Sequence, residues 1–255
     1  MAHTDHMHPK SHLPRSFIEG LRVLVLASSA LGGCAALAQE PARPGVQSEM
    51  PEVTAKPWQL RRAQFARIVA GVQAGDPNAR IQFDAVLTEF ETHAFSRTPL
   101  ENMEIVGVFY LPKEGIEQCL PVIVANDVLG WYDALRFTDE SGRSEIFANE
   151  GLFKRAMLTS GPANSERAVK FLESNPEKTS QLVAKGIALA KPFRDSRNYD
   201  HHWPEVYGLQ PVVCASGGPC AMRPMLPEDQ WNAAWDEAVR RVVTYYQVNP
   251  SEPNR

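Results

Sequence analysis

The sequence has no excess of positive charge and no long apolar run, and these two absences exclude whole classes of protein. Its 26 Lys and Arg residues are outnumbered by 30 Asp and Glu residues, so the formal net charge is -4. We therefore expect no nucleic-acid partner, because no basic field is present to attract one. The mean hydropathy of -0.30 leaves no room for several membrane spans. The 255 residues, 44% of them hydrophobic, are enough for a globular domain with its own core.

The sequence also lacks the common fingerprints of catalysis and nucleotide binding. It contains no G-x-S-x-G, no G-x-x-x-x-G-K-[ST], no H-E-x-x-H, and no G-x-G-x-x-G after a strand. Beyond residue 38 the only histidines are His93, His201 and His202, so general bases near neutral pH are few. These absences favour a protein that is not an enzyme, and we predict no cofactor and no bound metal.

Residues 1–38 have the pattern of an export signal. A polar, charged beginning precedes the apolar run Val23–Leu31, which is too short to span a bilayer and leads into small residues. Ala36-Leu37-Ala38 is an A-x-A cleavage site, and cleavage there predicts a periplasmic or secreted protein. Alternatively, Leu31-Gly32-Gly33-Cys34 resembles the bacterial lipobox. That resemblance implies acylation of Cys34 and an outer-membrane lipoprotein that contacts the membrane only through this lipid anchor.

The rest of the chain predicts a tether followed by a mainly α domain. Residues 39–57 contain four prolines and no apolar periodicity, which is typical of a disordered connection. Over residues 58–255 the apolar spacing predicts one globular domain of about seven helices. The expected helices are Pro57 to Gly75, 83–95, 99–110 after the capping box Thr98-Pro99-Leu100-Glu101, the central buried helix 116–137, 144–158, 165–172, 176–190 and 226–246.

One stretch leaves the fold class open. The run IVGVFYL over residues 105–111 is short, apolar and rich in β-branched and aromatic residues. Periodicity alone does not type so short a run, because a buried strand and a buried helix look alike over this length. A strand at 105–111 would make the fold α+β.

Two cysteines predict a disulfide bond. Cys214 and Cys220 are separated by Ala-Ser-Gly-Gly-Pro, which supplies a tight turn, and an exported protein meets an oxidising compartment. A bridge across so short a loop contributes about 2 kcal/mol and rigidifies the turn locally. Cys119 lies among Leu120, Val122 and Ile123, so we expect it to be a buried, inert thiol.

The segment Arg194 to Tyr207 is dense in polar and aromatic side chains within an expected loop, where binding residues often lie. The alternative is an ordered connection whose aromatic residues pack on the core and whose charges are paired. Ligand spacing for a metal is absent, because adjacent residues point in different directions. The candidate binding residues are Tyr199, Asp200, His201, His202, Trp203 and Tyr207.

A second set of candidates consists of acids near the end of the central helix. Asp127, Asp133 and Glu140 are the candidate catalytic residues, since a pair of carboxylates serves as acid and base in glycan cleavage. Helix caps and surface charges are the alternative interpretation.

Three functional hypotheses follow. The first is an exported binding or inhibitor-type protein that contacts another macromolecule, such as a second envelope protein. The second is an envelope hydrolase that uses Asp/Glu chemistry on glycan or lipid. The third is a periplasmic protein that binds a small molecule through aromatic residues of the 194–207 segment together with Trp131.

Overall fold

The computed structural model describes residues 55–246, apart from 94, 139, 148–150, 197–198, 207–208, 210–212 and 214–223. The predicted export signal, Cys34, most of the tether, Tyr207 and the pair Cys214 and Cys220 lie outside these residues. Within them, 83% of the chain is helical and none of it forms a strand, which confirms a mainly α fold. The α-helices follow one another along the chain as α1 (Pro57–Gln73), α2 (Pro77–Thr92), α3 (Pro99–Ile105), α4 (Leu111–Glu114), α5 (Ile116–Leu135), α6 (Glu140–Phe147), α7 (Gly151–Ser160), α8 (Pro162–Ser174), α9 (Pro176–Ala190) and α10 (Trp231–Tyr245), with 3₁₀ turns at Lys191–Phe193, Trp203–Val206 and Glu228–Gln230.

Proline and capping side chains start several of these helices. Proline occupies an early position of α1, α2, α3, α8 and α9, where its missing N–H costs nothing. The predicted capping box is present: Thr98 Oγ1 accepts from the Glu101 amide at 3.3 Å, and Glu101 Oε2 accepts from the Thr98 amide at 2.9 Å. Helix α2 begins at Pro77 rather than at residue 83, because Asp76 Oδ1 accepts from the Asn78 amide at 2.8 Å and caps it.

The strand considered for residues 105–111 does not form, so the α+β alternative is wrong. The segment Val106–Tyr110 is a π-helix that runs from α3 directly into α4. Gly107 within it packs on α7 so closely that a Cβ atom would lie 2.4 Å from the carbonyl oxygen of Ala156. Burial of these apolar residues between helices therefore decides their conformation over their intrinsic β preference.

Helix α5 is the centre of the domain, as its apolar composition predicts. Almost all of its side chains are buried, and it packs against α3, α7, α9 and α10. Helix α9 packs closely on it, since a Cβ atom on Gly186 would lie 2.5 Å from Val124 Cβ. The described part of the chain contains no helix with both the length and the apolar character needed to cross a membrane.

The single helix expected over residues 144–158 is two helices. Helix α6 ends at Phe147 and α7 begins at Gly151. The start of α7 lies over α5, and this placement brings its first amides to the side chain of Asp127.

Candidate functional site

The structure brings one candidate acid together with two candidate binding residues. Asp133 is fully buried and its Oδ1 accepts from Arg136 Nη2 at 2.8 Å. Its Oδ2 accepts from the Tyr199 hydroxyl at 2.8 Å and from Trp203 Nε1 at 3.0 Å. We call these four residues the Asp133 cluster. The sequence placed Asp133 among the catalytic candidates and Tyr199 and Trp203 among the binding candidates, and it gave no role to Arg136. The fold brings Tyr199 and Trp203 to Asp133 across 66 and 70 residues of chain.

Two elements position the Asp133 cluster. Asp133 lies in the last turn of α5, and Arg136 follows it by three residues, so both side chains lie on the same side of the helix end. Tyr199 and Trp203 come from the segment that crosses this end. Trp203 also packs edge-on against Trp58 of α1, with ring centroids 6.4 Å apart. The cluster therefore ties the 199–206 segment to both α5 and α1.

Aromatic rings enclose the guanidinium of Arg136. Its Cζ lies 4.8 Å from the Tyr132 ring centroid and 4.9 Å from that of Trp231. Such cation–π contacts stabilise a buried positive charge together with the carboxylate of Asp133. Because Asp133 and Arg136 are 0% and 1% exposed, a substrate reaches the carboxylate only if the 199–206 segment moves away.

The other members of the predicted binding segment are more exposed. Asp200 Oδ1 accepts from the His202 amide at 3.0 Å and forms a local turn, while the His201 and His202 rings lie 4.6 Å apart. The His202 ring also packs on Phe137, with centroids 5.9 Å apart. In the part of the chain that the structure describes, no three His, Cys, Asp or Glu residues are grouped as a metal site would require.

The remaining candidate acids occupy two further environments. Glu140 is exposed at the start of α6 and pairs with Arg143 at 3.3 Å. Asp127 is buried, and its Oδ2 accepts from the Tyr246 hydroxyl at 2.9 Å. Burial raises the pKa of Asp127 to about 7, although the Tyr246 hydroxyl and the Phe153 and Leu152 amides act to lower it.

Buried and half-buried ion pairs join α3 to α1 on one side and to α7 on the other. Arg61 binds Glu101 at 2.7 Å, and both Arg62 and Arg155 bind Glu104 at about 3.1 Å. Each glutamate is thereby matched by arginine side chains from another helix. These pairs leave no space for a ligand, and we interpret them as contacts that fix α1 on the domain.

A groove on the other side of α1 has a different character. It has a volume of about 310 Å³ and is open to solvent between α1 and α2. Its lining residues are Gln64, Arg67, Ile68, Gly71, Asp76, Ala79 and Gln82. Arg67 is exposed and forms no ion pair with any residue that the structure describes. Nothing in the sequence indicates this groove, since of its lining residues in α1 only Gly71 is small.

None of the described residues of the two predicted sites lines this groove. None of them lines the smaller cleft beside Arg61 and Glu101 either. Cys119 is a free, buried cysteine whose pKa is raised to about 12 by burial, as expected of an inert thiol. Comparisons with protein families, curated proteins and solved structures find no match for this chain.

Proposed function

We propose that this chain is an exported, non-catalytic binding protein that contacts another envelope protein through the outer face of α1 and α2. The observation that carries the proposal is the open groove of about 310 Å³ between these helices, with Arg67 at its edge. The buried state of Asp127 and Asp133 favours this role over hydrolysis, because neither carboxylate is accessible to a substrate. The packing of Tyr199 and Trp203 against Asp133 likewise favours it over a small-molecule site.

The exposed side of α1 suits close approach by a partner. Its exposed residues at helical spacing are Leu60, Ala63, Arg67, Ala70 and Ala74. Four of them are apolar and three are small, so a partner backbone can approach without displacing long side chains. Leu60 is 58% exposed, so a partner that covers it would remove apolar surface from water. Burial of this side chain would contribute to binding.

Arg67 and two amide side chains supply polar recognition in the groove. Gln64 and Gln82 line it from α1 and α2. The other arginines of this region, such as Arg61 and Arg62, are held by glutamates, whereas Arg67 is available for a carboxylate. We therefore expect the partner to present an amphipathic helix with an acidic residue, a recognition mode in which apolar anchors fill a groove.

A photo-crosslinking experiment tests the surface. A photoreactive amino acid is placed at Ala70 on the proposed face and, as a matched control, at Ala188, an exposed alanine of α9. We expect a discrete crosslinked protein from Ala70 that is lost when Arg67→Glu is added, and no such product from Ala188. The same products from both positions, or none from Ala70, would contradict the proposed face. A product of twice the chain mass would replace the partner with a second copy.

Export is tested separately on the natural protein. The N-terminal peptide, identified by mass spectrometry, should begin at Gln39, or at an acylated Cys34 if the lipobox is used. A product that begins at Met1 would refute export while leaving the crosslinking result to decide the binding surface.

A further inference from the structure

Asp127 lies where three helices meet. Its side chain extends from α5, the Tyr246 hydroxyl reaches it from the end of α10, and the Leu152 and Phe153 amides act on it from the start of α7. One carboxyl oxygen, Oδ1, is buried without a hydrogen-bond donor among the residues that the structure describes. The site thus stabilises a negative charge only in part, and an incompletely paired buried carboxylate is costly.

We propose that Asp127 is a proton-controlled latch that holds the last turn of α10 against α5, and that loss of its proton loosens this turn. The proposal does not depend on the partner-binding surface, which is on α1 and α2. It concerns the last turn of α10 because Tyr246, which follows this turn directly, donates the hydrogen bond that reaches Asp127. Tyr246 contributes its hydroxyl to Asp127 and its ring to Phe153, with centroids 5.7 Å apart.

The proton that controls the opening is the one on Asp127, because the groups around it do not titrate in its place. Tyr246 keeps its proton, because burial and the neighbouring Asp127 raise the pKa of its hydroxyl well above the usual value. No charged side chain of α5, α7 or α10 is among the groups that shift the pKa of Asp127, and the only contributions from α7 are the two backbone amides. From α10, Tyr245 acts on Tyr246 but not on Asp127.

The sign of the effect follows from linkage. The pKa of Asp127 is about 7 in the closed state, and an aspartate that reaches water has an ordinary pKa near 3.8. The closed state therefore binds the proton more tightly, and opening becomes easier as the pH rises from about 4 to about 7. Between pH 5 and pH 8 the equilibrium constant for opening should increase by about 100-fold.

Hydrogen exchange measures this opening directly. Protection factors are determined for the amides of Val242, Val243 and Tyr246 in the mature protein between pH 5 and pH 8, with correction for intrinsic exchange rates. We expect protection to fall by about 100-fold over this range, while amides in the middle of α9 change much less. Constant protection at the end of α10 would overturn the proposal, and so would an equal fall throughout the domain.

Two variants identify the responsible group. Asp127→Asn removes the charge and should make the protection independent of pH. Glu237→Gln makes the same charge change at a partly exposed position of α10 and should retain the full pH dependence. If Asp127→Asn retained the pH dependence of protection, the proposal of a latch would be refuted. If Asp127→Asn does not fold, the ¹³C chemical shift of the Asp127 carboxyl is followed against pH in the unmodified protein. A midpoint near pH 7 is expected, and a midpoint near pH 4 would exclude the proposal.

Discussion

Replacement of Asp133 by alanine should destabilise the domain by about 5 kcal/mol or more. The variant leaves the Arg136 guanidinium, which is 1% exposed, without its carboxylate. Breaking a buried ion pair from one side costs about 3–5 kcal/mol. The Tyr199 hydroxyl and Trp203 Nε1 lose the acceptor that they share, and each buried donor that loses its acceptor costs about 1–3 kcal/mol. The rings of Tyr132 and Trp231 still contact Arg136 and offset part of this loss.

Urea unfolding followed by far-UV circular dichroism gives the free energy of unfolding for each variant. A double-mutant cycle with Arg136→Met separates the effect of the arginine charge from the effect of its side-chain volume. Methionine fills much of the same volume as arginine but carries no charge. Asp133→Ala with Arg136→Met should be at least about 2 kcal/mol more stable than Asp133→Ala alone. Glu140→Ala is the control among the candidate acids, and its exposed carboxylate should contribute less than about 1 kcal/mol.

Two results would refute this reasoning. A loss below about 1.5 kcal/mol for Asp133→Ala would show that the Asp133 cluster does not hold the 199–206 segment. A double variant whose loss equals the sum of the two single losses would show that Asp133 and Arg136 do not interact. Either result would make Asp133 a candidate catalytic residue again.

Three further predictions concern packing and covalent structure. Gly186→Ala should lower stability by about 1–3 kcal/mol because its Cβ would lie 2.5 Å from Val124 Cβ, and an unchanged melting temperature would contradict the close contact of α5 with α9. Trp235→Ala should cost about 3–5 kcal/mol as a truncation of a buried side chain, and a loss below about 1 kcal/mol in urea unfolding would show that α10 does not pack on the core through this residue. Thiol titration of the denatured, unreduced mature protein should find one thiol, whereas three would exclude a bond between Cys214 and Cys220.

Local features of the fold were predictable because their causes are local. The capping box at Thr98 uses atoms within four residues, and Pro57 and Pro176 start helices through their own fixed backbone angle. The central position of α5 follows from composition, since a helix that is apolar all round is stable only when other helices cover it. None of these inferences requires knowledge of distant contacts.

Long-range contacts were not predictable, because they depend on how distant segments of the chain fold together. Asp133 meets Tyr199 and Trp203 only because the 199–206 segment folds back over the end of α5. Nothing in the spacing of these residues specifies that return, and the conformation of residues 105–111 likewise depends on packing against α7. Sequence analysis therefore found residues of the Asp133 cluster without finding the cluster.

The three candidate acids show why residue type alone does not define a catalytic site. They lie within fourteen positions of one another, yet Asp133 accepts hydrogen bonds from Arg136, Tyr199 and Trp203, Asp127 accepts one from the Tyr246 hydroxyl, and Glu140 is exposed. A general acid needs both a raised pKa and access to the substrate. Asp127 has a raised pKa but is buried, whereas Glu140 is exposed and pairs with Arg143. The raised pKa of Asp127 follows from its burial, and the same burial keeps a substrate away, so this pKa does not identify a general acid.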